Sequence, residues 1–158
     1  MVQSQRHYLT EEGLKEVEER LNFLRTVRRQ EVAQRLHNAL AEGGELGEDA
    51  EYEDAKNEQA FVEGEIARLE EILSKVVLID ENRPKDIVGI GSRVKLREKG
   101  TDLDEEYLIV GEAEADPSRG KISYKSPLGQ ALMNHKVKDT VKVQAPDGEL
   151  SFSILSIE

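Results

Sequence analysis

Cysteine and tryptophan are absent from the 158 residues, and only 4% of them are aromatic. Without cysteine there is no disulfide framework, thiolate zinc site or cysteine nucleophile, which fits a reducing cytoplasm. So few aromatic rings argue against a thick spherical core. No apolar run approaches the roughly 20 residues of a membrane span, and no signal-peptide core follows Met1-Val2-Gln3-Ser4-Gln5-Arg6-His7. A cytoplasmic chain with no membrane partner is expected. Positive charge is in short supply too: 22 basic against 33 acidic side chains give a net charge of −11. Affinity for a nucleic-acid backbone comes mostly from Lys and Arg neutralising phosphates, so any nucleic-acid substrate should be held by another molecule.

Proline is missing between Thr10 and Val76, a stretch rich in Glu, Leu, Arg, Ala and Gln, and such a composition predicts helix. Thr10 is placed to cap it, with Glu11 and Glu12 in the first turn, where the helix dipole favours acids. Tyr52, Ala55, Gln59, Val62, Ile66, Leu69, Leu73 and Val76 alternate steps of three and four, the spacing of a heptad seam. Leu14, Val17, Leu21 and Leu24 supply the answering seam. It passes a polar patch at Arg28 and Glu31 and resumes with Val32, Leu36 and Leu40. Paired antiparallel, Leu14 with Val76 and Leu24 with Ile66, the two seams share a midpoint at residue 45. There Gly43, Gly44 and Gly47 relieve the backbone restrictions of a tight helix-to-helix turn.

From about Gly89 the period changes to two: Val94 and Leu96, Ile122 and Tyr124, Val141 and Val143, then Leu150, Phe152 and Ile154. Pro146-Asp147-Gly148 predicts a hairpin between the last two runs. Ser126-Pro127 reads as an N-cap and first helical position before a short amphipathic helix. The expected fold is α+β: an N-terminal antiparallel coiled-coil hairpin over 1–79 with its tip near 43–52, a linker over 80–88, and a small domain over 89–158 built on an antiparallel sheet with a short helix.

The tip concentrates acid. Glu42, Glu45, Glu48, Asp49, Glu51, Glu53 and Asp54 precede Lys56 with no basic residue among them. One reading is a solvated face whose acids favour the start of the second helix. The other is delivery: carboxylates on a narrow turn reach a deep cavity and complete the oxygen shell of a Mg²⁺ ion beside a phosphodiester held by another enzyme. The Asp-x-Asp-x-Asp-Gly pattern of a Ca²⁺ loop is missing, and no metal or cofactor is expected on the free protein.

Elsewhere, His7, His37 and His135 fit no ligand or triad spacing. Arg25, Arg28, Arg29 and Arg35 suit salt bridges across the hairpin to Glu58, Glu63 and Glu65, or contact with RNA or its enzyme. Tyr107, Tyr124 and Phe152 read as core rather than an isomerase pocket, and no prolyl isomerase activity is expected. The lysines at 121, 125, 136, 138 and 142 are suited to orienting a docking event.

Gly44-Glu45-Leu46-Gly47-Glu48-Asp49-Ala50-Glu51-Tyr52 resembles the tip signature Gly-Asp-Leu-x-Glu-Asn-Ala-Glu-Tyr of the bacterial Gre transcript-cleavage factors, most like the GreA branch. The resemblance runs from Tyr8-Leu9-Thr10-Glu11-Glu12-Gly13 to Ser126-Pro127-Leu128-Gly129 and Pro146-Asp147-Gly148-Glu149. It implies an FKBP-like C-terminal domain and a monomeric accessory factor, not an independent enzyme, that docks on bacterial RNA polymerase at its secondary channel. Through the resemblance, Glu45 and Glu48 become the acids that hold a Mg²⁺ jointly with the polymerase while it cuts the backtracked RNA 3′ end. Tyr52 supports the tip, and Ser126 and Pro127 face the polymerase. Glu45 stands where the family usually has Asp. The added methylene moves the carboxylate by about 1 Å, more than catalytic groups usually tolerate, so weakened stimulation is expected. With Gly47 and Asp49, the tip also resembles Gre-related factors that inhibit polymerase through the same channel. A coiled-coil adaptor pairing between chains is the alternative from another class, and a proline-isomerase or chaperone-like module rests on fold analogy alone.

Overall fold

The computed structural model describes residues 6–42 and 50–158. The chain divides into two compact units. One is Leu14–Lys75; the other joins the described residues up to Gly13 with Val76–Glu158.

The first unit is a helical hairpin. One long helix runs as α1 (Glu11–Phe23), a π-turn (Leu24–Arg28) and α2 (Arg29–Glu42), and α3 (Ala50–Ser74) returns beside it. Thr10 caps it as expected, its Oγ1 accepting from the Gly13 N–H at 2.9 Å. Leu21, Leu24, Val32 and Ala39 meet Ala55, Val62, Ile66, Leu69 and Ile72, all 5% exposed or less. On the first helix the seam departs from strict heptads between Leu24 and Val32. Leu24 and Val32 are eight residues apart, one more than two α-helical turns take. The π-turn absorbs the extra residue, with the Arg29 N–H reaching back to the Leu24 carbonyl, and the stripe stays on one face. Beyond it the small Ala39 takes the seam, leaving Leu40 exposed, and on α3 Ile72 is buried ahead of the half-buried Leu73 while Gln59 faces out.

The second unit holds a five-stranded sheet in the order β5-β4-β3-β7-β6. Its strands are β3 (Arg93–Glu98), β4 (Asp104–Val110), β5 (Lys121–Ser123), β6 (Thr140–Ala145) and β7 (Gly148–Ile157), with α4 (Pro127–Leu132) between β5 and β6. Pro146 and Asp147 close the β6–β7 hairpin as expected. All pairs are antiparallel except β4 with β5, an edge pair that runs parallel because residues 111–120 carry the chain back to the start of the sheet. Val88, Val94, Leu96, Ile109, Leu132, Phe152 and Ile154 form the core, with Leu128, Ala131 and Met133 packed against it. A bulge in β7 opposite Lys95 and Leu96 breaks the alternation, so that Ile157 rather than Ser156 follows Ile154 inward.

Two expected boundaries move. β1 (His7–Leu9) pairs in parallel with β2 (Val76–Leu78), so these segments, expected inside the hairpin domain, belong to the sheet unit. The nine residues expected as a linker are folded into that unit as well. Val88 is buried and exchanges backbone hydrogen bonds with Asn134 and His135, both 2.9 Å. Arg83 donates to the Glu158 carbonyl at 3.0 Å.

Candidate functional site

On the helical unit the residues of interest surround the α2–α3 connection. Glu45 and Glu48 lie outside the described residues. The helices on either side are fixed by small side chains and charge. Ala39 and Ala55 are both buried, so the seam is filled by small side chains at this end. Arg35 then ties the helices together, its Nε donating to Glu51 at 2.8 Å in the first turn of α3 and its Nη1 to Glu58 at 2.5 Å. The Glu51 bond, the larger cause, and the nearby Asp54 raise the Arg35 pKa above its ordinary value. Tyr52 is half-buried one residue further, with the Lys56 ammonium 5.4 Å from its ring centroid. Tyr52 thus lies in the first turn of α3.

The arginines expected either to bridge the hairpin or to meet RNA are engaged in bridging. Arg25 meets Glu70 at 2.5 Å, Arg29 takes Glu63 in a two-pronged contact at 2.8 and 2.9 Å, and Arg28 meets both Glu31 and Glu58. Glu65 turns instead to Arg68 on its own helix. Arg29 holds the Glu63 carboxyl below its ordinary pKa, and Arg68 does the same for Glu65.

On the sheet unit, Ser126 and Pro127 open α4. The Ser126 hydroxyl accepts from the Gly129 N–H at 3.1 Å and donates to the Ser123 carbonyl at 2.7 Å, which locks the loop. Pro127 at the first helical position is exposed. Beside it Tyr124 packs edge-to-face on Tyr8, with centroids 5.9 Å apart, and Lys125 lies over the Tyr124 ring at 5.7 Å. The loop therefore presents a rigid proline and a cation on an aromatic base. Phe152 is core, and Tyr107 donates to Glu105 at 2.8 Å.

One site escaped the sequence. The Glu114 carboxylate, 4% exposed, accepts from the Thr10 N–H at 3.0 Å and the Thr10 hydroxyl at 2.5 Å, with Lys121 at 3.5 Å. It caps the first helix from a position 104 residues away. Its local sequence, Glu112-Ala113-Glu114-Ala115-Asp116, carries no signal that singles it out. Among the described residues no group of His, Asp and Glu is arranged to hold a metal ion.

Residues 7–78 match the family model described as transcription elongation factor, N-terminal, and residues 83–158 match that described as transcription elongation factor, GreA/GreB, C-term. The chain is 47% identical over 158 residues to transcription elongation factor GreA of Clostridium botulinum, covering 99% of this chain and 98% of that one. It is 48% identical over the same shares to GreA of Clostridium beijerinckii. Among solved structures, that of GreA factor homolog 1 (Gfh1) of Thermus thermophilus is 31% identical, with 98% of this chain and 99% of the other covered and a TM-score of 0.45.

Proposed function

Because the chain belongs to the GreA/GreB family of transcription elongation factors, we propose that it acts on bacterial RNA polymerase by entering the secondary channel with its hairpin and stimulating cleavage of backtracked RNA. The observation that carries this reading is the antiparallel pair α2 and α3, clamped by Arg35 to Glu51 and Glu58 and joined through the acid-rich segment 43–49.

Glu45 and Glu48 are the residues assigned to the polymerase active centre. Carboxylate oxygens are the hard donors that Mg²⁺ takes, and a Mg²⁺ ion shared with the polymerase supplies the Lewis acidity for phosphodiester hydrolysis. This chain's part is positional. The clamp at Arg35 fixes the start of α3 and Tyr52 braces it, which orders the helix end next to the segment that carries the two carboxylates. Ser126 and Pro127 form part of the surface that grips the polymerase, and the factor works as a monomer in the cytoplasm.

The test is a stalled elongation complex with its cognate polymerase. Adding the protein should shorten the transcript from its 3′ end, and Glu45→Ala and Glu48→Ala should each lower the maximal rate on the order of a hundred-fold. Cleavage at the parent rate by both variants would overturn the assignment. A second reading, inhibition through the same channel, is favoured by the seven acids between residues 42 and 54. It is selected if nucleotide incorporation falls while no transcript is cut.

A further inference from the structure

Between the buried Ala55 and Val62 of α3 the half-buried Glu58 stands at the level of Val32, where the apolar stripe of the hairpin is interrupted. Its carboxylate is 20% exposed and faces two guanidinium groups at once: Oε1 meets Arg28 and Oε2 meets Arg35. These arginines lie on either side of Val32, about two turns apart along the first long helix, Arg28 as the last residue of the π-turn and Arg35 within α2. Each keeps a second acid, Arg28 with Glu31 and Arg35 with Glu51.

Apolar side chains alone specify register weakly, because a seam of similar aliphatic groups repacks after a slip of one heptad. A lone polar group in such a seam finds its partners in one alignment only, and fixing register is the best-attested use of a buried charge. Here one carboxylate is shared between two cations about 10 Å apart along the helix, at ~1.5 Å per residue. An axial slip that helps one contact lengthens the other. The π-turn adds to the need, since a helix with an inserted residue has two ways to carry its stripe past it.

We propose that Glu58 is a positioning residue for transcript cleavage: by bridging Arg28 and Arg35 it sets the axial register of α2 against α3, and with it the placement of Glu45 and Glu48. The proposal rests on the cleavage reading above. Glu58 touches neither RNA nor metal in this role.

Two variants and two readouts test it. Glu58→Leu restores an apolar seam and leaves both arginines with a carboxylate partner, so it folds and melts no lower than the parent. Glu58→Gln keeps the shape and removes the charge. The chain has no cysteine, so spin labels at Ala33→Cys and Ala67→Cys, on exposed positions offset along the hairpin, report sliding directly. The parent should give one narrow distance and Glu58→Leu a shifted or broadened one, with Glu58→Gln between them. In the stalled elongation complex, maximal cleavage at saturating factor should fall roughly ten- to a hundred-fold for Glu58→Leu while the half-saturating concentration is unchanged. A purely structural role would move melting temperature and half-saturation instead. Unchanged distances, or changed distances with an unchanged maximal rate, overturn the proposal. If the parent itself cuts no transcript, the cleavage reading fails and the role in cleavage with it, and the label distances still decide whether Glu58 sets register.

Discussion

Glu114 and Gly13 make a pair whose energetics run against helix propensity. Alanine is favoured over glycine inside a helix by about 1 kcal/mol. Yet a Cβ at Gly13 would sit 2.4 Å from the Glu114 side-chain carboxyl carbon, and that carboxylate is held by Thr10 and Lys121. Gly13→Ala should therefore destabilise by roughly 1–3 kcal/mol, measured by urea unfolding. Glu114→Ala should cost more, about 3–5 kcal/mol, because it strands Lys121 at 10% exposure and leaves the Thr10 N–H without an acceptor. A stabilising Gly13→Ala would show that Glu114 yields easily. Tyr107 offers a test by pH. Burial first, and Glu105 second, push its phenol up to about 12. An unfolded phenol titrates near pH ~10, so the folded state holds this proton more tightly. The stability involved is complete below pH ~10 and is lost as pH rises towards about 12. Tyr107→Phe should flatten the alkaline limb of a melting-temperature profile in that window, and one of the four tyrosines should show a late rise in tyrosinate absorbance. Gly129 is legible only with coordinates in hand. A Cβ there would lie 2.1 Å from the Ser123 carbonyl oxygen, which is also the acceptor for Ser126. Gly129→Ala should displace the Ser126–Pro127 loop and weaken polymerase binding while leaving the helical hairpin unchanged in circular dichroism.

At the scale of elements, legibility followed the number of residues that share a period. The α3 seam and the two-residue alternation of β3, β6 and β7 each repeat several times, and each was readable. The Ser126-Pro127 cap and the Pro146-Asp147 turn were readable from local chemistry. The β1–β2 pair was not, because three-residue strands hold one alternation at most, and Val76-Val77-Leu78 continues a helical seam as plausibly as it starts a strand. Residues 80–88 looked like a linker from Asn82, Pro84 and Lys85, yet Ile79 and Val88 anchor both ends in the unit. The π-turn left a trace, the eight-residue step from Leu24 to Val32, which reads from sequence as a polar interruption. The cross-hairpin ion pairs follow from the register, but which acid each arginine takes depends on rotamers that no spacing encodes. Apart from the two to the half-buried Glu58, these pairs are exposed, and such pairs contribute about 0–1 kcal/mol each and are screened by salt. Raising sodium chloride to about 1 M should thus leave the hairpin's helical signal intact. Extensive unfolding at that salt would mean the ion pairs, not the seam, hold α2 to α3.

At the scale of the whole molecule the proposed function divides the work between the two units, and the division can be measured. The net charge is −11, yet residues 121–142 carry five lysines against the single acid Asp139, and they run beside the Ser126–Pro127 loop in sequence. Lys136 and Lys138 are exposed on the segment after α4, and Lys125 is exposed on Tyr124. Surface charges of one sign accelerate association with an oppositely charged partner and do so less as salt rises, with a screening length of about 10 Å at 0.1 M. They act before the active centre is reached. Replacing Lys125, Lys136 and Lys138 together by Gln should therefore raise the half-saturating concentration for cleavage roughly ten-fold at low salt, through slower association. The difference should shrink as salt increases, and the maximal rate should stay at the parent value. Glu45→Asp should do the reverse: the shorter side chain restores the family's carboxylate position and raises the maximal rate without altering half-saturation. If the lysine variant lowers the maximal rate, the docking unit takes part in the chemistry; if Glu45→Asp changes half-saturation alone, the tip takes part in docking. Either result would break the assignment of grip to one unit and delivery of carboxylates to the other.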